Sequence, residues 1–230
     1  LNGVTFTGNS AASGGAMANV SAEPGGPSPA GDASPILNNV TFYMNIATNN
    51  GGAIFNSSNG DSTFDHSSKA SPTLTNVTFM SNSATYGGAI YDYGNAITHP
   101  ALSNVILWGN QASSAGPEIY NEANAGTAIA DIDYSVVEGG CPTDGGGLGG
   151  NNCTNDIYTD PLLGPLADNG GPTQTMLPGQ GGSAFDSGTC SLPTDQRGAR
   201  RPQGDFCDIG AVELVTSRIY ASNFDGTVTP

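Results

Sequence analysis

The sequence predicts an all-β fold: a β-solenoid with an irregular disulfide-bonded C-terminal cap. Three observations carry that expectation: a repeat in register, strand-type alternation inside each copy, and an unusual composition. The 230 residues contain 34 Gly and 15 Pro, and only 11% are charged, against roughly 25% in an ordinary soluble domain. Such a chain borders on the disordered class unless a repeat organises it. It offers no amphipathic stripes for a Leu-rich helical or α/β enzyme core.

The repeat comes first. Four segments align from Leu1, Leu37, Leu74 and Leu102. Val recurs at Val4, Val40, Val77 and Val105; Asn at Asn9, Asn45, Asn82 and Asn110; Ala at Ala11, Ala47, Ala84 and Ala112. A Gly-Gly-Ala step begins at Gly14, Gly51 and Gly87, and becomes Gly116-Pro117-Glu118 in the last copy. Within each copy Val-Thr-Phe alternates, so Val40 and Phe42 share one face and Thr41 takes the other. Asn and Gly recur where a chain must turn sharply. Strands and corners at a constant period predict stacked coils, with equal positions touching about 4.8 Å apart.

Stacking assigns each column a role. Val4, Val40, Val77 and Val105 face inward, as do Phe6, Phe42, Phe79 and Leu107. Asn9, Asn45, Asn82 and Asn110 are expected to form a side-chain amide ladder, and Asn39, Asn76 and Asn104 a shorter one. Ile54, Ile90 and Ile119 point inward after Met17, leaving Phe55, Tyr91 and Tyr120 as an outward aromatic stripe. Pro-, Ser- and Gly-rich insertions before Ile36 and Thr73 read as exposed loops.

From about residue 129 the pattern fades. Residues 132–137 make one more strand, and a Gly-rich loop follows between Cys141 and Cys153. The organisation expected is repeats over 1–138, a cap over 139–214 and a tail over 215–230. A solenoid end exposes unpaired backbone, so the second region is expected to cover it. Four cysteines allow three connectivities. The pairing expected is Cys141 with Cys153 and Cys190 with Cys207, because each pair flanks a turn-rich segment. Neither pair has the short spacing that zinc favours. Disulfides imply an oxidising compartment.

Charge narrows the partners. Five basic residues face 20 acidic ones, a net charge of −15. Nucleic acid and anionic membrane need clustered Lys and Arg and are excluded. No apolar run is long enough for a transmembrane helix.

The F-x-x-N-x-A…G-G-A-I copies resemble the repeats of polymorphic outer membrane proteins. DPLLGPLADNGGPTQT over 160–175, DQRG over 195–198, Arg201-Pro202 and CDIGAVE over 207–213 resemble, in the right order, the choice-of-anchor Q domain family. Together the two resemblances cover nearly all of residues 1–214. They imply a secreted bacterial right-handed parallel β-helix displayed at the cell surface, with no catalytic residues to carry over.

The function expected is a non-catalytic extracellular or cell-surface structural or adhesive protein, with a host or matrix ligand. A carbohydrate-active β-helix enzyme is the alternative. Lyases of this architecture need a base, yet the single Lys, Lys69, lies in an insertion, and Arg197, Arg200, Arg201 and Arg218 lie in the cap or tail. A hydrolase needs clustered carboxylates, for which only Asp131 and Asp133 share a strand face. His66 and His99 read as exposed loop residues with no partner at catalytic or metal spacing. Arg197 and Arg201 with Asp195, Asp208 and Glu213 read as structural ion pairs. No catalytic residue and no cofactor is assigned. Structural calcium stays open through the loop at 144–152, with no ligands named. Leu1 falls inside a coil, so the chain is expected either to belong to a longer solenoid or to associate end to end as a filament. In the second case residues 218–229 would be donated as a strand.

Overall fold

The computed structural model describes residues 1–22, 31–59, 68–143, 145–146 and 150–215. Among them every regular element is a strand and none is a helix. Layer 1 contains β1 (Asn2–Thr7), β2 (Ser10–Ser13) and β3 (Met17–Ala22); layer 2 contains β4 (Ile36–Tyr43), β5 (Ile46–Asn50) and β6 (Ile54–Asn59). Layer 3 contains β7 (Thr73–Met80), β8 (Ser83–Tyr86) and β9 (Ile90–Gly94). Layer 4 contains β10 (Ile97–Thr98), β11 (Ala101–Ser103), β12 (Ile106–Trp108), β13 (Gln111–Ala115) and β14 (Ile119–Ala123). Layer 5 contains β15 (Thr127–Asp133), β16 (Val136–Val137) and β17 (Gly145–Gly146), and β18 (Gly150–Thr154) begins the next.

Equivalent strands pair in parallel into three main sheets. The first runs β1, β4, β7, β11 and β15, with β12, β16 and β18 alongside; the second is β2, β5, β8, β13; the third is β3, β6, β9, β14, β17. Register follows the repeat: Val4 opposes Val40, and Val40 opposes Val77. Phe6, Phe42 and Phe79 stack with centroids 5.0 and 4.8 Å apart and nearly parallel planes. Leu37, Val40, Phe42, Val77, Phe79, Val105 and Leu107 lie in one buried core.

Left-handed backbone marks three corners in each of layers 1 to 4. The first uses Gly3, Asn39, Asn76 and Asn104, with φ from 53 to 67°; the second Gly8, Met44, Ser81 and Gly109; the third Gly14, Gly51, Gly87 and Gly116. Asn tolerates this region because its short polar side chain bonds locally. At the third corner only glycine fits, since a Cβ on Gly51 would lie 2.1 Å from the Ile54 carbonyl oxygen.

The Asn ladder runs through the second corner. Asn9 Nδ2 donates to Asn45 Oδ1 at 2.9 Å, Asn45 to Asn82 and Asn82 to Asn110 at the same distance. Backbone amides of Asn9, Asn45 and Asn82 donate to the same oxygens. No fifth Asn follows Asn110. Its Nδ2 donates instead to Glu118 Oε2 at 2.6 Å. This accounts for the altered step in the last copy. The second sheet ends at β13, so Pro117 meets no further strand there and Glu118 ends the ladder. Asn104 donates to Asn76, and Asn76 to Asn39, at the first corner.

The C-terminal region departs from the expected cap. Beyond β16 the stack continues in part: β17 pairs β14, β18 pairs β15, and Ile157 bridges Val136. Cys141–Cys153, with Cα atoms 5.9 Å apart, closes this last turn. Residues 158–215 then run back along the flank of the first sheet instead of across its end. The outward column there, Thr5, Thr41, Thr78, Ile106 and Val136, needs cover. Thr41 Oγ1 donates to Gln196 Oε1 at 2.7 Å, and Gln196 Nε2 donates to Thr5 Oγ1 at 2.7 Å. Ala211 N donates to Thr78 Oγ1. Ile106 and Val136 pack against Ala184 and Ile209. Cys190–Cys207 ties this flank. Residues 216–230 lie outside the described residues, so the donated-strand expectation falls there.

Candidate functional site

The third sheet builds an outward aromatic face. Alternation buries Ile54, Ile90 and Ile119 in the core and sends Phe55, Tyr91 and Tyr120 the other way. Phe55 and Tyr91 stack at 5.6 Å between centroids, and Tyr91 and Tyr120 at 5.5 Å. Two residues further along each strand, the next outward positions are Ser57, Tyr93 and Glu122. Tyr86, at the end of β8, leans over Tyr120 at 5.2 Å and 47°.

Together with Asn50, Ala123 and Asn124, these side chains line an open cleft of about 740 Å³. Its lining is aromatic and polar, and contains no basic side chain. The Tyr91 hydroxyl donates to Glu122 Oε2. Burial, then this bond to Glu122, holds the Tyr91 hydroxyl well above the usual tyrosine range, so it stays a donor and orients the carboxylate. Asn124 Nδ2 donates to the Tyr93 hydroxyl at 3.2 Å. An apolar floor with a few fixed polar groups is the usual make-up of a small-molecule site.

Behind this face lies a third ladder. Asn19 Nδ2 donates to Asn56 Oδ1, and Asn56 Nδ2 to Asp92 Oδ1, both at 2.8 Å. Asn121 opposes Asp92 in the next layer, and its Nδ2 donates to Asn151 Oδ1. Asp92 is fully buried, and burial pushes its carboxyl up to about 7 against the Asn56 hydrogen bond and the charge of His99. Asp92 Oδ2 and Asn121 Oδ1 both lack a partner.

The residues singled out in the sequence are placed as follows. Asp131 accepts from Asn152 at 2.7 Å and pairs with His99 at 2.9 Å. The Asn152 bond, with His99, lowers its pKa despite some desolvation, which suits a carboxylate tie and not a general acid. Asp133 accepts from Asn155. His99 is exposed, as expected, and its ion pair with Asp131 is a surface contact; His66 lies outside the described residues. Arg197 pairs with Asp195 at 2.8 Å, and Arg201 with Glu213 at 2.9 Å. Asp208 makes no such pair: its carboxylate accepts the backbone amides of Asp186 and Leu214, while Arg201 donates to its carbonyl. Among the described residues no group of three or more His, Cys, Asp or Glu is gathered as for a metal. Asp144 and residues 147–149 of the candidate calcium loop lie outside them.

Tyr86, Tyr93 and Glu122 were not singled out in the sequence, although the spacing of Tyr91 and Tyr93 by two already puts both on one face. Asp92 carried a signal too, standing where earlier copies have Asn19 and Asn56. Comparison with family models, curated proteins and solved structures finds no match. The two disulfides indicate an oxidising environment outside the cytoplasm. Among the described residues no helix is long and apolar enough to cross a membrane.

Proposed function

We propose that this chain is a right-handed parallel β-helix acting outside the bacterial cell or at its surface as a non-catalytic structural and adhesive protein. The aromatic cleft of the third sheet is its contact surface. The observation that carries this reading is the outward Phe55–Tyr91–Tyr120 column with its flanking Tyr86, Tyr93 and Glu122. Tyr91 is buried, but Tyr86 is exposed and Phe55, Tyr93 and Tyr120 are half-buried, and exposed aromatic rings cost solvation unless something covers them. The interior, filled by amide ladders and stacked rings, supplies a rigid support for such a face. The choice-of-anchor Q resemblance over 160–213 agrees with display at a surface. The layer of β1, β2 and β3 presents strand edges to which a further layer can add, from the same chain or another copy.

The reading is tested by mixing purified protein with insoluble and soluble polysaccharides, including pectate and alginate. The expected outcome is retention on a matrix with neither new reducing ends nor unsaturated products. Product formation abolished by Asp131→Asn or Asp133→Asn would establish the enzyme alternative.

A further inference from the structure

We infer that the tyrosine cleft of the third sheet binds a linear, neutral oligosaccharide laid along the stacking direction of the layers. This rests on the contact role proposed above and names its ligand class.

Four observations converge on that class. First, the cleft is periodic. Its lining comes from β5 and β6, from β8 and β9, and from β14 with the residue after it, in three successive layers, and half-buried Phe55 and Tyr120 flank the buried Tyr91 at ring-centroid spacings of 5.6 and 5.5 Å. A ligand that repeats its contacts at each layer is a polymer, and an extended pyranose chain repeats at a spacing close to one layer. Second, the volume of about 740 Å³ lies within the roughly 300–1,000 Å³ of ligand sites, room for several sugar units and more than an isolated ammonium group needs.

Third, the polar groups suit hydroxyls. Asn50 offers donors and an acceptor, Asn124 its side-chain carbonyl, Tyr93 a hydroxyl and Glu122 a carboxylate acceptor. Sugar hydroxyls both donate and accept, whereas a methylated ammonium would leave the amides unused. Tyr86 is 37% exposed and tilted out of the column, and its ring surface suits the C–H face of a pyranose. Fourth, charge excludes acidic glycans. The lining carries a carboxylate and no cation, within a chain of net charge −15, so a uronate or sulfate meets repulsion without a partner.

The test uses the full chain on an array of neutral and acidic oligosaccharides, followed by calorimetric titration of the best neutral binder. Tyr86→Ala and Glu122→Gln are compared with wild type, with thermal melts confirming that both fold. Each variant is expected to weaken binding about tenfold or more, the scale of one interfacial hot spot. A further control, choline, is expected not to compete. Absence of neutral binding, equal binding by both variants, or displacement by choline overturns the inference. Preference for an acidic glycan, lost in Tyr86→Ala, overturns the ligand class while leaving the contact role intact. Release of products overturns the contact role itself.

Discussion

Asp92 shows how one atom changes a repeat. An amide ladder passes hydrogen bonds in one direction, each Nδ2 donating to the next Oδ1. At Asp92 the carboxylate form has nothing to donate, and Asn121 Oδ1 stays unmet. Asp92 Oδ2 and Asn121 Oδ1 are both unpartnered at register-paired positions, so a proton on the acid form would fill this gap as an Asn amide does. Burial first, outweighing the Asn56 bond, raises its pKa from 3.8 to about 7. The folded state therefore keeps a proton that the unfolded chain releases. Stability contributed by Asp92 is full below about pH 4, falls as pH rises to about 7, and is then level. Glu118, raised by burial to about 8, acts in the same direction. The melting temperature is expected to fall between pH 4 and pH 8. Asp92→Asn should leave it nearly unchanged at pH 4 and raise it at pH 8, by an amount on the order of 2–4 kcal/mol in stability. Melts of both proteins across this range check it; a parallel pH dependence would refute the acid-form ladder.

At the scale of the element, stacking is limited by backbone contact. Gly52 sits where successive layers are so close that a Cβ would lie 2.1 Å from the Gly88 carbonyl oxygen. Gly15 and Gly88 meet the following layer at 2.2 and 2.3 Å. Gly52→Ala must therefore separate layers 2 and 3 at the third corner, between the second and third sheets. The expected cost is about 3 kcal/mol or more, the scale of overpacking with displaced backbone. Gly150→Ala is the control, because its Cβ would meet nothing within 4 Å, and should stay within about 0.5 kcal/mol of wild type. Urea unfolding of the two variants distinguishes these outcomes. The same closeness explains why the third corner repeats as Gly-Gly while the first varies between Gly and Asn.

For the whole molecule, the flank made by residues 158–215 joins layers that are far apart in sequence. Gln196 reaches Thr5 in layer 1 and Thr41 in layer 2, while Ala211 reaches Thr78 in layer 3. Thr189 bonds Asn104 in layer 4. The flank thus acts as a brace against separation of the layers. Its disulfide, Cys190–Cys207, spans 17 positions. Replacing both cysteines by Ser should cost about 3 kcal/mol. Limited proteolysis should then cut first within 158–215, before the layers. Cleavage that begins in the layers would show that the brace is independent of this bridge.

The sequence by itself determined the repeating part. Register, inward columns, the Asn9–Asn45–Asn82–Asn110 ladder and the outward aromatic stripe all follow from period and alternation, because equal positions in stacked layers must touch. The final partial layer and the course of residues 158–215 were decided by tertiary structure. Those residues have no repeat, and their contacts are with Thr and Asn side chains more than 80 positions away. Pattern within a strand tells which side chains face outward, but not which outward column another segment covers. The flank covers the threonine column and contributes no residue to the lining of the third-sheet cleft, so the candidate site emerged only when the flank had been placed.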